Sequence, residues 1–419
     1  KSSMLTQRSR ARDNLWISVS SEKTMTNRLS RALERCVSIE DLHRLAKRRL
    51  PAPMFEYLRG GAEDERALRN NCEAFSRVQL IPNTMRDVSR VDTSTHVLGS
   101  DIAMPLLLGP VGYAGMFHHE REIGAAAAAD KYKTFYSLAT WGSSTPEEIG
   151  VASAAPKMMQ LYIPADRERA CALVDRAKAA GFTALCVTVD TPVQGSREQA
   201  WRMGMPPPAR MPLSSYLSIL GHPQWLLNFI KNRPIAGVSL FDHPPSPQEM
   251  MEAGPARDLS FDDITRLRER WDGALAIKGV LSTQDARLAV EHGATAIILS
   301  NHGGRQFDAA PAPIDLLPAV VDAVGERAEI IVDGGIRRGV DVLKAIALGA
   351  TACMIGRPYV YGLAAGGQAG VERALQILKD ELERNMVLMG VTRIADVDGR
   401  FLYPMRGSVD QRNPDERCG

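Results

Sequence analysis

The sequence predicts an α/β protein built as a single (β/α)8 barrel, and three observations carry that expectation. From residue 105 onwards, eight short apolar runs alternate with amphipathic, Ala-rich stretches. Such alternation specifies a parallel sheet, and eight is the number of strand–helix units that closes a barrel. Secondly, Gln160, Asp190, Lys278, Asn301, Asp333 and Arg357 stand where the apolar runs end, and barrels of this kind build their sites at the C-terminal ends of the strands. Thirdly, the 419 residues are 45 % hydrophobic and 24 % charged. That composition excludes disordered, collagen-like and small disulfide-scaffold classes.

The expected strands are Pro105–Pro110, Thr134–Ala139, Lys157–Tyr162, Ala184–Asp190, Leu275–Val280, Ala296–Asn301, Ile330–Gly334 and Ala352–Gly356. Each is a short β-prone or apolar run closed by polar or glycine punctuation. Helices are expected between them, for example over Glu168–Ala180 and Val340–Ala347, where Ala, Leu and Val recur on one face. One interval does not fit the rhythm. Residues 191–274 separate the fourth and fifth runs, and ten of the chain's 25 prolines lie between Pro206 and Pro255. A long regular helix is therefore not expected there, and an insertion on the site-bearing face, about 204–260, is. Within it Met211–Ile230 contains no Lys, Arg, Asp or Glu. Its serines, His222, Pro223 and Gln224 make it too polar to span a bilayer. It suits a membrane interface, with Trp225 and flanking Arg210 and Lys231 as anchors, as well as it suits an apolar lid or an oligomer contact.

Before the barrel the chain is basic. Net charge is only +2, yet the first 60 residues carry 13 Lys or Arg against 6 Asp or Glu. No global basic field points to nucleic acid. Residues 1–37 are expected to be a basic tail, unstructured at the start, 38–400 the barrel with its N-terminal helical segment, and 401–419 a C-terminal tail. Residues 1–24 lack a long apolar core before a small-residue cleavage site, against a secretory signal. They are Ser- and Arg-rich, as transit peptides are, but Met25 reads more simply as the natural start. The six cysteines, at 36, 72, 171, 186, 353 and 418, form no Cys-x-x-Cys pair and no zinc-like spacing, so no metal site is expected and a reducing compartment fits.

Residues 300–306 read Ser-Asn-His-Gly-Gly-Arg-Gln directly after an apolar run. They put a base, His302, and a cation, Arg305, over one cavity, with glycines that allow close backbone approach. Asp333-Gly-Gly-Ile-Arg337 and Gly356-Arg357-Pro follow the seventh and eighth runs, where such barrels commonly hold a phosphate group. Lys278 leads out of an apolar run and needs an anionic partner if buried. Asp190, if it faces His302, would stabilise the imidazolium and orient the ring.

With these residues in view, the stretch from Ser38 to Gly390 resembles the FMN-dependent α-hydroxy-acid dehydrogenase and oxidase family. Residues 300–306 are its most specific signature. Tyr57 with Gly-Ala-Glu-Asp at 61–64, Gln160-Leu-Tyr162, Thr188-Val-Asp190-Thr-Pro, Arg197, Lys278-Gly, Asp333-Gly-Gly and Gly356-Arg357 support it. The resemblance implies that His302 takes a proton from the substrate and Asp190 holds it as an ion pair. It implies that Arg305 and Arg197 clamp the substrate carboxylate with help from Tyr57, and that Tyr162 bonds the α-oxygen. Lys278 would lie near the flavin's N1–O2 edge. Val111, Gly112, Ala139, Gln160, Thr188 and Ser300 would adjoin the isoalloxazine. Asp333, Gly334, Gly335, Arg337, Gly356 and Arg357 would hold the phosphoribityl tail.

Two departures stand out. The family commonly has a serine beside the flavin before its Ser-Trp pair, but here residues 138–141 read Leu-Ala-Thr-Trp. Oxidase members usually have alanine where this chain has Gly112, and glycine is more like the dehydrogenases. The expectation is FMN-dependent oxidation of an L-2-hydroxy acid to a 2-oxo acid, with L-lactate first because of the insertion with its His222-Pro-Gln-Trp225, and a quinone as acceptor. Mandelate or another bulky acid is the alternative, then an oxygen-using oxidase. An isomerase would leave His302, Arg305 and Arg197 without a joint role. The resemblance further implies a homotetramer; the expected location is the cytoplasm, peripheral on the inner face of the cell membrane through 211–230.

Overall fold

The structure is a computed structural model and describes residues 29–205, 210–232, 237–241, 253–404 and, between the last two stretches, 243, 245, 246, 248 and 249. Residues 1–28 and 405–419, hence most of both expected tails, lie outside the described residues. Two short antiparallel strands come first, β1 (Thr95–Val97) and β2 (Ser100–Ile102). They turn through Leu98 and Gly99, both left-handed at φ 50° and 73°, the geometry a two-residue hairpin requires. Eight parallel strands follow: β3 (Leu106–Leu108), β4 (Tyr136–Leu138), β5 (Lys157–Leu161), β6 (Ala184–Thr188), β7 (Ala274–Val280), β8 (Ala296–Ser300), β9 (Glu329–Asp333) and β10 (Ala352–Ile355). They close into a barrel in sequence order, with β10 pairing β3. Each coincides with one of the eight predicted runs.

Why the runs read as continuously apolar is visible in how their residues divide. Leu107, Met158, Cys186, Ala276, Ile298 and Ile331 point inward into one cluster, while Leu106, Leu185, Val187, Ile277 and Leu299 pack outward against helices. Both faces of each strand are buried, so, Ser137 in β4 apart, polar side chains gather near the strand ends. The hairpin, which the sequence analysis did not anticipate, places Val97, Leu98 and Ile102 in the inner cluster and closes the barrel's N-terminal end. The same alternation sets the site. One inward step beyond Met158, Cys186, Ala276, Ile298 and Ile331 stand Gln160, Thr188, Lys278, Ser300 and Asp333. They form the topmost interior layer.

Helix Ile39–Arg49 is capped by Ser38, whose side chain accepts from the Asp41 N–H, and it buries Ile39, Leu42, Leu45 and Ala46. It packs on the last helix, Arg357–Met389, which bends at Gly366 and Gly367. Residues 29–37 and 401–404, assigned to tails by the sequence, pack on the domain: Leu33, Cys36 and Phe401 are buried and Leu402 bridges Leu80.

After helix Glu198–Arg202, the described residues of the insertion form short helices, among them Leu213–Leu220 and Pro223–Lys231. Trp225, expected as an interface anchor, faces the protein instead. It is 9 % exposed, donates Nε1–H to the Met116 carbonyl at 2.8 Å and stacks on Phe229. An indole N–H that finds a fixed carbonyl is satisfied inside the fold. The apolar side chains left at the surface are Leu213, Tyr216, Leu217, Leu220, Leu227 and Ile230. Among the described residues no helix is long and apolar enough to cross a membrane.

Candidate active site

A cavity over the C-terminal ends of the strands encloses about 1270 Å³, open solvent at its mouth included. Of the residues singled out by sequence, Tyr57, Val111, Gly112, Ala139, Gln160, Tyr162, Arg197, Lys278, His302, Arg305, Asp333, Gly334, Gly335, Arg337, Gly356 and Arg357 line it. Asp190, Thr188 and Ser300 stand directly behind that lining, each bonded to a residue that does.

Just after β8 comes a run of three left-handed residues, His302, Gly303 and Gly304, at φ 58°, 65° and 73°. The conformation is costly for a residue with a Cβ. It is held by the His302 N–H donating to Ser300 Oγ and by the Gly304 N–H donating to Asn301 Oδ1. His302 Nδ1 lies 3.0 Å from Asp190 Oδ1, and Nε2 lies 3.4 Å from the Tyr162 hydroxyl. The Asp190 carboxylate fixes the Nδ1–H tautomer, which leaves Nε2 free to accept a proton.

Burial pulls the imidazole's pKa below its ordinary value although Asp190 pushes the other way. Its side chain remains 20 % exposed to the cavity. Burial alone would raise the Asp190 pKa, but His302 and Lys278 hold the carboxyl below the usual range. The resting pair is a neutral base beside a carboxylate. Burial and the nearby Asp190 charge raise the Tyr162 pKa, so the phenol stays a donor.

Across the cavity two guanidinium groups pack on the ring of Tyr57, Arg305 at 5.1 Å and Arg197 at 5.6 Å from its centroid. Arg305 Nη1 donates to the carbonyls of Tyr57 and Gly60, both at 2.9 Å, and Arg197 Nη1 donates to the Tyr57 hydroxyl at 3.3 Å. Burial and the neighbouring Arg197 depress the Arg305 pKa well below its ordinary value. The Arg197 Nε–H is buried without a partner among the described residues. Two cations and an orphaned donor without a bonded carboxylate make a place for an anion.

Lys278 has the anionic partner its burial demanded. Nζ lies 2.7 Å from Asp333 Oδ2, and both groups bond Ser300 Oγ. Burial would lower the Lys278 pKa, but Asp333 and Asp190 raise it overall, so a fixed cation sits under the cavity. Gln160 is held by Thr188 and by the Thr140 N–H. Thr140, next to the departure at Ala139, also donates Oγ1–H to the Gln160 carbonyl at 2.7 Å. Its hydroxyl ties β4 to β5 from behind the lining.

Gly334 and Gly335 are left-handed, and a Cβ on Gly335 would overlap the Asn71 carbonyl oxygen. The helix starting at Gly339 is not open to an anion, because the Arg337 and Arg338 N–H groups donate to Asp341 and that of Gly339 to Glu381. In the helix starting at Arg357, Pro358 has no N–H and the Val360 N–H already donates to the Gly356 carbonyl, so the Arg357 and Tyr359 N–H groups are the ones a helix start leaves without an intrahelical partner. Arg357 donates to the carbonyls of Arg59, Gly60 and Gly303, and burial lowers its pKa to about 10. It braces the loops around the site besides adding positive field.

The sequence analysis missed several contributors. Tyr113 and Trp141 line the cavity. Asn71 exchanges two 2.7 Å hydrogen bonds with Asn301, and Gln306 donates to the Asp190 and Val193 carbonyls. Gln306 belongs to the quoted signature and was visible. Asn71, on a helix far from the strands in sequence, gave no signal.

Comparison with known proteins follows this geometry. The profile of the FMN-dependent dehydrogenase family matches residues 46–404. The chain belongs to that family. As an FMN-dependent dehydrogenase it is 41 % identical over 377 residues to a candidate L-lactate dehydrogenase of Mycobacterium tuberculosis, covering 90 % of this chain and 91 % of that one. It is 39 % identical over 376 residues to L-lactate oxidase of Nostoc sp., covering 89 % and 99 %. The solved structure of the monotopic membrane protein (S)-mandelate dehydrogenase superposes with a TM-score of 0.83 at 33 % identity, covering 88 % of this chain and 99 % of that one. The cavity suits FMN: the buried Lys278 cation, Gly335 where a Cβ would overlap the Asn71 carbonyl, and the start of the helix at Arg357 converge on it.

Proposed function

We propose that this FMN-dependent dehydrogenase oxidises an L-2-hydroxy acid, L-lactate in the first instance, to the 2-oxo acid and passes the electrons to a quinone. The observation that carries the reading is the His302–Asp190 pair at 3.0 Å facing Tyr162, beside two guanidinium groups and the unpartnered Arg197 Nε. A hydroxy acid offers a carboxylate for Arg305, Arg197 and the Tyr57 hydroxyl, and an α-oxygen for Tyr162. His302 Nε2 takes a proton from the CH–OH centre, and Asp190 stabilises the imidazolium that results. A positioned base of this kind contributes about 10²–10⁴-fold.

FMN, when bound, supplies the two-electron acceptor. Lys278 is the cation available to offset the charge gained there. Val111, Gly112, Ala139, Gln160, Thr188 and Ser300 would adjoin its ring, and Asp333, Gly334, Gly335, Arg337, Gly356 and Arg357 its tail. Gly112 supports an acceptor other than oxygen, since oxidase members of the family usually carry alanine at that position. A bulkier aryl hydroxy acid is the second reading, favoured by the likeness to (S)-mandelate dehydrogenase.

The test is anaerobic bleaching of the bound flavin by a panel of 2-hydroxy acids, then reoxidation by a soluble quinone or by air. L-Lactate is expected to bleach fastest and the quinone to reoxidise fastest. Failure of every 2-hydroxy acid would reject the reading; faster mandelate or faster oxygen would select an alternative.

The reading includes a homotetramer attached peripherally to the inner face of the cell membrane. The exposed Leu213, Tyr216, Leu217, Leu220, Leu227 and Ile230 support the contact, as does the monotopic relative. Five described cysteines, all free, suit a reducing compartment. Vesicle co-sedimentation with and without residues 211–230 tests the attachment, and light scattering tests the tetramer.

A further inference from the structure

A second cavity lies outside the catalytic one, between the end of helix Ile39–Arg49, the loop after β3 and helix Pro223–Lys231. Its charged and ionisable lining consists of Arg48, Arg49, His118, His119 and His222, with no Asp or Glu. Neither arginine has a hydrogen-bond or carboxylate partner among the described residues. Arg44, one turn earlier on the same helix, does bond Glu40, at 3.1 Å. Arg49 is half-buried, and burial with the adjacent Arg48 charge pulls its pKa down. A partly desolvated guanidinium without a counter-ion is costly, and a phosphate is the group that matches its fork.

The histidines are compatible donors. Burial, with the His119 and Arg49 charges, lowers the His118 pKa to about 3, and its Nδ1 accepts the Glu120 N–H. The proton therefore sits on Nε2. His222 is fixed by donating Nδ1–H to the Ser218 carbonyl at 2.7 Å. A metal held by His118, His119 and Glu120, whose ligand atoms lie within 4.8 Å of one another, is the weaker reading. His118 Nδ1 is engaged by that N–H, and the Glu120 carboxylate accepts from the Gln368 N–H.

The surroundings select the source of the phosphate. Helix Pro223–Lys231 turns Trp225 into the cavity and leaves Leu227 and Ile230 exposed on the outside. Leu220, 66 % exposed, directly precedes Gly221 and His222 at the rim. A cationic pocket thus opens beside an apolar surface, the arrangement that a phospholipid's headgroup and chains would fill together. We propose that this cavity binds the phosphate of an anionic phospholipid, with the leucines of Leu213–Leu220 and Pro223–Lys231 against the acyl chains. The inference rests on the membrane contact proposed above.

The test is sedimentation of the full-length flavin-loaded protein with phosphatidylglycerol or phosphatidylcholine vesicles. Arg48→Gln with Arg49→Gln should weaken binding to phosphatidylglycerol roughly 30-fold, with lactate turnover in solution unchanged. Arg44→Gln with Lys47→Gln, on the same helix but outside the cavity, should change it less than about threefold if the pocket rather than a diffuse field is responsible. Should the arginine pair fail to fold, His119→Gln with His222→Gln carries the same test. Failure of the wild type to bind either vesicle would overturn membrane contact itself. Equal loss in both arginine-helix variants, or none in either, would overturn only the pocket. If inorganic phosphate raises the melting temperature of the wild type at constant ionic strength while vesicles do not compete, the ligand is free phosphate and the lipid assignment is wrong.

Discussion

Replacing Asp190 by Asn removes one charge and little else. The amide can still accept the His302 Nδ1–H across the present 3.0 Å, so the ring keeps its place. What disappears is the attraction between carboxylate and imidazolium when Nε2 takes the proton. Unit charges about 4 Å apart interact by about 4 kcal/mol at an effective dielectric of roughly 20. Part of that is offset because the neutral amide is cheaper to bury. The expected loss is about 2–4 kcal/mol in the transition state, or roughly 30- to 1,000-fold in rate.

The assay is anaerobic stopped-flow bleaching of the flavin by L-lactate, followed across pH. Only neutral imidazole accepts a proton, so the rate rises with pH through the His302 pKa, which burial holds below 6.5. Asp190 pushes that pKa upward. Its removal should therefore move the acid limb to still lower pH while the plateau falls. A plateau within about threefold of wild type, or a limb displaced to higher pH, would refute the assignment of His302 as base and Asp190 as its counter-ion.

Other changes read other parts of the site. Arg197→Lys removes the fork that packs on Tyr57 and the free Nε–H; the apparent KM for lactate should rise about 10- to 100-fold, as for a lost charge-assisted bond, with flavin content unchanged. Lys278→Met leaves Asp333 buried without its 2.7 Å partner, at a cost of about 3–5 kcal/mol, and calorimetry should show a lowered Tm together with poorer flavin retention. Gly335→Ala puts a Cβ onto the Asn71 carbonyl at φ 85° and should yield protein without flavin. Gly181→Ala, at φ 78° with open space around it, should cost only about 1–2 kcal/mol and keep its cofactor.

Much of this was legible before any coordinates. The eight strands could be read because each is buried on both faces and is closed by polar or glycine punctuation. The proposed catalytic pair was half legible: His302 announced itself by its glycine-flanked context, whereas Asp190 was conditional on facing it. The partner of Lys278 had no local signal, since Asp333 lies on β9, two strands away around the ring. The hairpin over the barrel floor escaped because two three-residue strands carry too short a pattern. Trp225 misled because amphipathic spacing does not say which side of a helix meets the protein. Its indole met the Met116 carbonyl.

The sequence by itself determined the barrel, the positions where its strands end and the kinds of side chain that stand there. Those depend on periodicity and burial, which are local properties of the chain. Only the tertiary structure decided which of those side chains meet. Closure of β10 onto β3 and the inward turn at each strand end set Lys278 against Asp333 and His302 against Asp190. The same packing left the Arg197 Nε without a partner and grouped Arg48 and Arg49 with three histidines. Pairing of charges across a closed sheet depends on register and distance in space, and neither is written in the order of residues.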